Sequence, residues 1–440
     1  MSSAASQLEE AYSRGLPRPL TQICALLAIV GVIAFFVALS VDPQMAWLAY
    51  HVNFIYFATL AQGGLAFAAI MVVVSARWPG PLRRAFEGLA AWVPISFVLG
   101  CIGFLGGDYL FEWKREGAVH GKEVWLNATR VYGTDLFILG ALALMTMWFL
   151  KVSNRPMLKK LADNGTGFAQ NMAKKWTDDW KGDVEERDAA FAKLSKRAAP
   201  ILLFYALGYS FWVFDQVMSM EQTWFSNLFG AYVTWGGILS AVAAVALWST
   251  LHKNAEGFEG LISDERMHDI GKLLFAFSIF WMYLFWSQYL VIWYGNLPEE
   301  TQFFADRLGN QFVIDKGAIS TSAWAKAWSS WDFDWDRLKT AYGWTAMATW
   351  ACLWIIPFWV LLGQRPKKTT WILGPVAAIV LFGFWLERNL LIWPSVIKND
   401  STSYLGVYQI LIALGFCGAF GLVFLTYTRV FPTIAVPKKD

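Results

Sequence analysis

The chain has 440 residues, of which 57% are hydrophobic and only 16% charged, whereas a soluble domain usually carries about 25% charged residues. This composition excludes a single soluble globular domain, because the apolar residues form a series of separate runs instead of one core. The net charge of +3 indicates no particular partner, and we expect no nucleic-acid partner.

Ten apolar segments follow one another along the chain. Each is long enough to cross a bilayer as a helix, because about 20 residues span the hydrocarbon core and lipid offers the backbone no other hydrogen-bond partner. The sequence therefore predicts an all-α polytopic membrane protein with about ten transmembrane helices. The segments lie at 20–42, 45–76, 88–106, 131–153, 198–220, 228–252, 271–294, 340–363, 370–396 and 404–428.

The basic residues give these segments a direction. Most of the 36 Lys and Arg lie on the side of the two tails, residues 1–19 and 429–440. Cytoplasmic loops of membrane proteins carry an excess of Lys and Arg. We therefore predict that both termini are cytoplasmic.

Two of the predicted loops are long. Loop 154–196, on the predicted cytoplasmic side, is expected to contain a short amphipathic helix on the membrane surface, with a disordered tether as the alternative. Loop 296–339, on the opposite side, carries the string Trp331-Asp332-Phe333-Asp334-Trp335-Asp336. This string suits a docking surface for an extramembrane partner, and interfacial anchoring by the tryptophans is the alternative.

A weak internal echo divides the segments into two groups. The pair Gly63-Gly64 in the second segment resembles Gly236-Gly237 in the sixth, and small residues let helices approach closely. The spacing predicts two related four-helix bundles, residues 45–220 and 228–396, flanked by helices at 20–42 and 404–428.

Ionisable or amide side chains inside the segments are functional candidates, because polar groups within a bilayer are costly. The predicted direction places them in the outer half, and we expect a proton path or a quinone site there. Near the middle only Gln62 is polar, and the inner half offers hydroxyls, so no continuous carboxylate relay is visible. The candidates are His51, Asp135, Asp215, Gln288, Glu387 and Arg388.

Structural alternatives remain open for these residues. Asp135, next to Thr134, could cap the start of the fourth helix. His51 and Asp215 could each serve only as partners in structural hydrogen bonds. Glu387 and Arg388 could form structural ion pairs, and we expect each to pair across helices rather than with the other.

The sequence offers no ligands for a redox metal. Its four cysteines lie inside the apolar segments without a Cys/His cluster, and His51 is the only histidine deep in a segment, whereas a b-type haem in a membrane bundle usually needs two. We expect no cofactor bound covalently or through a metal. The stripe Tyr205, Tyr209, Trp212 and Gln216 is typical of helix packing, with a pocket for a quinone headgroup as the alternative.

Three stretches carry a resemblance to a known family. They are residues 214–220 continuing through 224–232, residues 268–300 with Ser287-Gln288-Tyr289 and Trp293-Tyr294-Gly295-Asn296, and residues 386–391 with Pro394-Ser395. Together they resemble the ActF-type membrane subunits of bacterial alternative complex III, within the polysulfide-reductase NrfD-like family.

The resemblance implies a subunit of a respiratory or photosynthetic quinol:cytochrome c (or other periplasmic acceptor) oxidoreductase in the bacterial cytoplasmic membrane. Such a subunit is not catalytic alone; it is a scaffold and a path for protons, without a redox cofactor of its own. Implied partners are an NrfD-like sister subunit, an iron–sulfur subunit, c-type cytochrome subunits, lipids and a terminal oxidase. Haem c and iron–sulfur clusters belong to those partners, and the ligands expected here are quinone, quinol or lipid.

Two other functions stay open at this point. The subunit could contain a quinone-binding site of its own, around His51, Asp135, Asp215 or Gln288. A secondary transporter is less favoured, because its substrate site would lie near the midplane on broken helices, where this sequence is nearly devoid of polar groups.

Overall fold

The computed structural model describes residues 18–76, 78–115, 121–164, 167–255, 260–308, 342–397 and 403–431. Regular secondary structure within these ranges is entirely helical. The acidic-aromatic string at 331–336 and both chain ends lie outside the described residues.

Ten helices among the described residues are long and apolar enough to cross a membrane. They confirm the predicted all-α, multi-pass membrane fold. We number them α1 Arg18–Val41, α2 Pro43–Val73, α3 Leu82–Leu110, α4 Ala128–Asn164, α5 Asp183–Gln216, α6 Phe229–His252, α7 Asp264–Gly295, α8 Gly343–Val360, α9 Thr370–Val396 and α10 Val407–Val430.

Local signals in the sequence explain where several helices begin and end. Asp42 caps α2 by accepting a hydrogen bond from the Met45 amide at 3.1 Å, and Pro43 occupies the first turn, where no amide donor is needed. At its C-terminal end, α7 stops before Asn296, which adopts a left-handed conformation with φ of +46°. Asparagine tolerates this conformation better than most residues.

The helices pack as two rings. Helices α2, α3, α4 and α5 contact one another in a closed cycle, and α6, α7, α8 and α9 form a second cycle. Helix α2 also packs on α6 and α9, and α5 packs on α6, so the two rings share a broad contact. Helices α1 and α10 pack against each other at the edge of the structure, and both contact α2.

The two glycine pairs meet where the rings join. A Cβ atom built on Gly63 would lie only 1.9 Å from the carbonyl oxygen of Gly237, and one built on Gly237 would lie 2.6 Å from that of Thr59. The backbones of α2 and α6 are therefore in direct contact, as expected where small residues face each other. Each pair marks a packing face, as the sequence predicts.

The predicted loop 154–196 is largely helical. Helix α4 continues to Asn164 and α5 begins at Asp183, so both extend beyond the predicted apolar segments. The predicted short helix exists at Gly167–Trp176. Its Ala173 packs against Leu158 and Leu161 on the extension of α4.

Arg155 ties this helical extension together. Its guanidinium donates to the Trp176 carbonyl oxygen at 2.8 Å, to Asp179 at 2.8 Å and to Glu186 at 2.8 Å. The hydrogen bond and the positive charge lower the pKa of the Asp179 carboxyl below its ordinary value. Because this one side chain donates to three acceptors between residues 176 and 186, it holds this part of the chain against the extension of α4.

A short helix, Pro298–Leu308, follows α7 and covers the end of α9. Its Arg307 is buried and donates to the Leu391 carbonyl oxygen at 2.9 Å and to the Ser395 hydroxyl at 2.7 Å. A cation near the C-terminal end of a helix is favourable, because the helix dipole is negative there. Burial lowers the pKa of Arg307 to about 10.

The contact between Gly63 and Gly237 predicts the effect of one added methyl group. In Gly63→Ala the new Cβ would force α2 and α6 apart, and overpacking of this kind typically costs about 1–3 kcal/mol. We expect a lower midpoint of thermal unfolding for the variant purified in detergent.

Gly133→Ala is the matched control, because Gly133 lies within α4 and a Cβ atom there would have nothing within 4 Å. Its unfolding midpoint should stay at or above that of the unchanged protein, since alanine favours helix more than glycine does. Equal stability of both variants would contradict the direct contact between α2 and α6.

Candidate functional site

The six residues predicted from sequence lie at three places. His51, Asp135 and Asp215 come together where α2, α4 and α5 meet, in a group that also contains Arg130 and Gln216. We call this group of five the α2/α4/α5 cluster. Glu387 and Arg388 lie between α9 and α6, and Gln288 lies apart on α7.

Gln216 links His51 to Asp135 within the α2/α4/α5 cluster. Nε2 of His51 lies 2.8 Å from the carbonyl oxygen of Gln216, and the Gln216 side-chain amide donates to Oδ2 of Asp135 at 2.6 Å. Gln216 ends α5, so its carbonyl group has no intrahelical partner and is free to accept. The hydrogen bond considered for His51 from the sequence is therefore present.

The other carboxylate oxygen of Asp135 is different. All of Asp135 is buried, and Oδ1 has no hydrogen-bond partner among the described residues. A buried polar atom without a partner costs free energy. A bound water, a proton or a ligand atom would each relieve this cost.

Asp135 does not cap α4, contrary to the alternative considered from sequence. The helix begins at Ala128, and Asn127 accepts a hydrogen bond from the Arg130 amide at 2.9 Å. Asp135 therefore lies well inside the helix, at about 10 Å from its start given a rise of 1.5 Å per residue.

Arg130 neutralises Asp215 in a bidentate ion pair. Its two terminal nitrogens lie 2.5 and 2.9 Å from the carboxylate oxygens, and Asp215 is fully buried. The guanidinium also donates to the Trp125 carbonyl oxygen at 2.7 Å and stacks on the Trp125 ring at 4.1 Å. Both oxygens of Asp215 thus have a partner in Arg130, which was missed because the predicted segment began at residue 131.

Glu387 and Arg388 form an ion pair with each other, so the expected pairing of each across helices is wrong. Both side chains are almost completely buried. Gly236 on α6 makes room for the arginine, since a Cβ atom there would lie 3.2 Å from Nη2 of Arg388. The other carboxylate oxygen of Glu387, Oε1, has no hydrogen-bond partner among the described residues.

Gln288 belongs to a separate contact. Its Oε1 accepts from the Ser226 hydroxyl at 3.0 Å, and its amide donates to the Leu284 carbonyl oxygen at 3.4 Å. This arrangement fastens α7 to the segment before α6. The structure therefore does not bring Gln288 into the α2/α4/α5 cluster.

A further buried carboxylate, Glu87, lies at the opposite ends of the helices. It accepts from Arg83 at 3.0 Å and from Arg84 at 2.7 Å, and the Ser153 hydroxyl donates to it as well. Tyr427 on α10 adds a contact at 3.3 Å. We call these residues the Glu87 cluster.

Glu87 is not among the candidates predicted from the sequence, because the third apolar segment was predicted to begin at residue 88. The structure begins that helix at Leu82. Arg84 and Arg83 precede Glu87 by three and four residues, which is the spacing of ion pairs on one helix face. This spacing is the feature of the sequence that could have identified Glu87.

The two clusters are far apart. Asp135 and Ser153 both lie on α4 and are separated by about 27 Å along the helix axis, at 1.5 Å per residue. Between them, Thr146 donates to the Leu142 carbonyl oxygen at 2.7 Å. Gln62 on α2 is buried, and both polar atoms of its side chain lack partners within the described ranges.

Comparison with known proteins does not assign the chain to a family. No family model matches the chain, and no curated protein matches it either. Within the described residues, no group of three or more His, Cys, Asp or Glu side chains is placed to hold a metal ion.

The ion pair between Arg130 and Asp215 predicts that the effects of substituting these two residues on stability are not additive. Arg130→Met leaves the carboxylate of Asp215 buried without its partner, and breaking such a pair from one side typically costs about 3–5 kcal/mol. We expect a large fall in the midpoint of thermal unfolding for the single variant.

Arg130→Met/Asp215→Leu removes both charges together and should recover most of that loss, since apolar replacement of a buried pair is often nearly neutral. A double variant as unstable as the single one would show that the ion pair does not set the cost.

Proposed function

We propose that the chain is an integral membrane subunit of a quinol:cytochrome c (or other periplasmic acceptor) oxidoreductase of the alternative complex III type. The motifs at 214–232, 268–300 and 386–391 support this proposal, and the ten helices in two rings are compatible with it. In this proposal both termini are cytoplasmic, the α2/α4/α5 cluster lies toward the periplasm, and haem c and iron–sulfur clusters belong to partner subunits.

The role proposed for this subunit is that of a scaffold that also takes part in proton movement. The observation that carries it is Asp135, a buried carboxylate with one oxygen satisfied by Gln216 and the other without a partner among the described residues. A buried carboxylate with an unsatisfied oxygen is stabilised by binding a proton or by accepting a hydrogen bond from water, so Asp135 is suited to exchange protons. Its neighbour Asp215 is not, because Arg130 donates to both of its oxygens.

The Glu87 cluster is not an equivalent site at the other ends of the helices. Two arginines and a serine hydroxyl already satisfy the carboxylate of Glu87. Protonation of Glu87 would leave those cations without their partner, which is costly at a buried position. A proton route through this half of the protein would therefore depend on bound water near polar atoms such as those of Gln62.

A second candidate function is a quinone site at His51 and Asp135. Aromatic rings surround this position: Phe111 lies 5.9 Å from the His51 ring and Phe54 lies 6.4 Å from it. The free oxygen of Asp135 fits a hydrogen bond to a quinol hydroxyl, and these two residues would hold the headgroup.

Burial argues against the quinone site as the first choice. His51 is only 2% exposed and Asp135 is fully buried. Phe111 packs against the His51 ring, and its segment is held by a hydrogen bond from the Trp113 indole to Ser219 at 3.2 Å. A headgroup would have to displace this segment, whereas a proton or a water would not. A KM for quinol unchanged in His51→Ala would exclude this candidate.

Purification tests the proposed assembly. An affinity-tagged chain isolated from its native membrane should co-purify with subunits that carry c-type haem and iron–sulfur clusters. Haem absorption and iron content should follow the tagged chain through size exclusion at a constant ratio. A chain that elutes alone as a monomer from a mild detergent would contradict the proposal.

A further inference from the structure

A basic surface lies where α4 and α5 leave the predicted apolar segments. Lys151 on α4 places its ammonium group 4.9 Å from the ring of Trp176, and Arg197 on α5 places its guanidinium 4.7 Å from the ring of Trp148. Trp148 and Lys151 are one helical turn apart on α4. Both cation–π contacts therefore involve the same turn of α4, and we call these four residues the Lys151/Arg197 surface.

Both cations are exposed, and neither has a carboxylate partner within the described part of the chain. The neighbouring Arg155, one turn along from Lys151, is in the opposite situation, because Asp179 and Glu186 neutralise it. The protein thus satisfies one cation internally and leaves two facing outward. The tryptophan rings hold those two cations by cation–π contact and leave their N–H groups free to donate.

An apolar stripe continues from this surface along α4. Phe137 and Leu144 precede Lys151 at intervals of seven residues, which is two helical turns, and Met147 lies one turn before Lys151. All three apolar side chains are exposed. A stripe of exposed apolar residues that ends in cations and tryptophans has the chemistry of a membrane boundary.

We propose that the Lys151/Arg197 surface binds the headgroup of an anionic phospholipid. The phosphate lies between the two cations, and an acyl chain follows Phe137, Leu144 and Met147. Arginine and lysine both donate to phosphate oxygens, and the positive charges without internal partners are complementary to that anion. This site does not depend on the proposed respiratory function.

Lipid titration tests the proposal. The purified protein, with any subunits that accompany it, is titrated with phosphatidylglycerol or phosphatidylcholine, and bound lipid is counted by native mass spectrometry. We expect phosphatidylglycerol to bind more tightly. Lys151→Ala/Arg197→Ala should weaken its binding about 30-fold, because each basic residue near a membrane contributes roughly fivefold. Lys151→Arg/Arg197→Lys should retain it.

Lys174→Ala/Lys175→Ala is the matched control, because it removes two exposed positive charges from the same helical extension. This control should leave phosphatidylglycerol binding within about twofold of the unchanged protein. Equal losses in both alanine pairs, or equal affinity of the unchanged protein for the two lipids, would overturn the proposal. So would loss of a co-purifying acidic protein, but not of lipid, from Lys151→Ala/Arg197→Ala. Unfolding midpoints measured first identify a variant that fails to fold, and Lys151→Ala alone then replaces it.

Discussion

A direct backbone contact between α2 and α6 joins the two rings of helices. Because neither Gly63 nor Gly237 has a side chain, the two rings of helices approach until the backbones touch. The adjacent Gly236 then faces Arg388, so the same pair of glycines that joins the rings makes space for a buried ion pair. Tyr205 on α5 reaches across the junction and donates to the Thr234 carbonyl oxygen at 2.9 Å.

Buried charge is treated differently at the two ends of the helices. The Glu87 cluster surrounds its carboxylate with donors from α3 and α4, as low polarity around a charge demands. The α2/α4/α5 cluster satisfies Asp215 in the same way but leaves one oxygen of Asp135 without a partner among the described residues. This difference is the reason that we propose proton exchange for Asp135 and not for Asp215 or Glu87, although all three carboxylates are buried.

Much of the fold could be predicted from sequence, because hydrophobic length alone identifies a membrane-crossing helix. The glycine pairs were also visible, since a close approach of helices requires small residues. The partners of the buried charges could not be predicted from the sequence, because they depend on three-dimensional contacts and on the exact ends of the helices. Arg130 and Glu87 each lay one residue outside a predicted segment. Adjacent side chains on a helix point in different directions, yet Glu387 forms an ion pair with its neighbour Arg388.

The proton-to-electron ratio of the proposed complex, measured in sealed vesicles, is the decisive test of proton exchange at Asp135. Asp135→Asn keeps the hydrogen bond from Gln216 available but removes the charge, so we expect a lower ratio at nearly normal electron transfer. Asp188→Asn, an exposed carboxylate on α5, should leave the ratio unchanged. An unchanged ratio in Asp135→Asn, with intact assembly and turnover, would contradict the role of this carboxylate in proton movement.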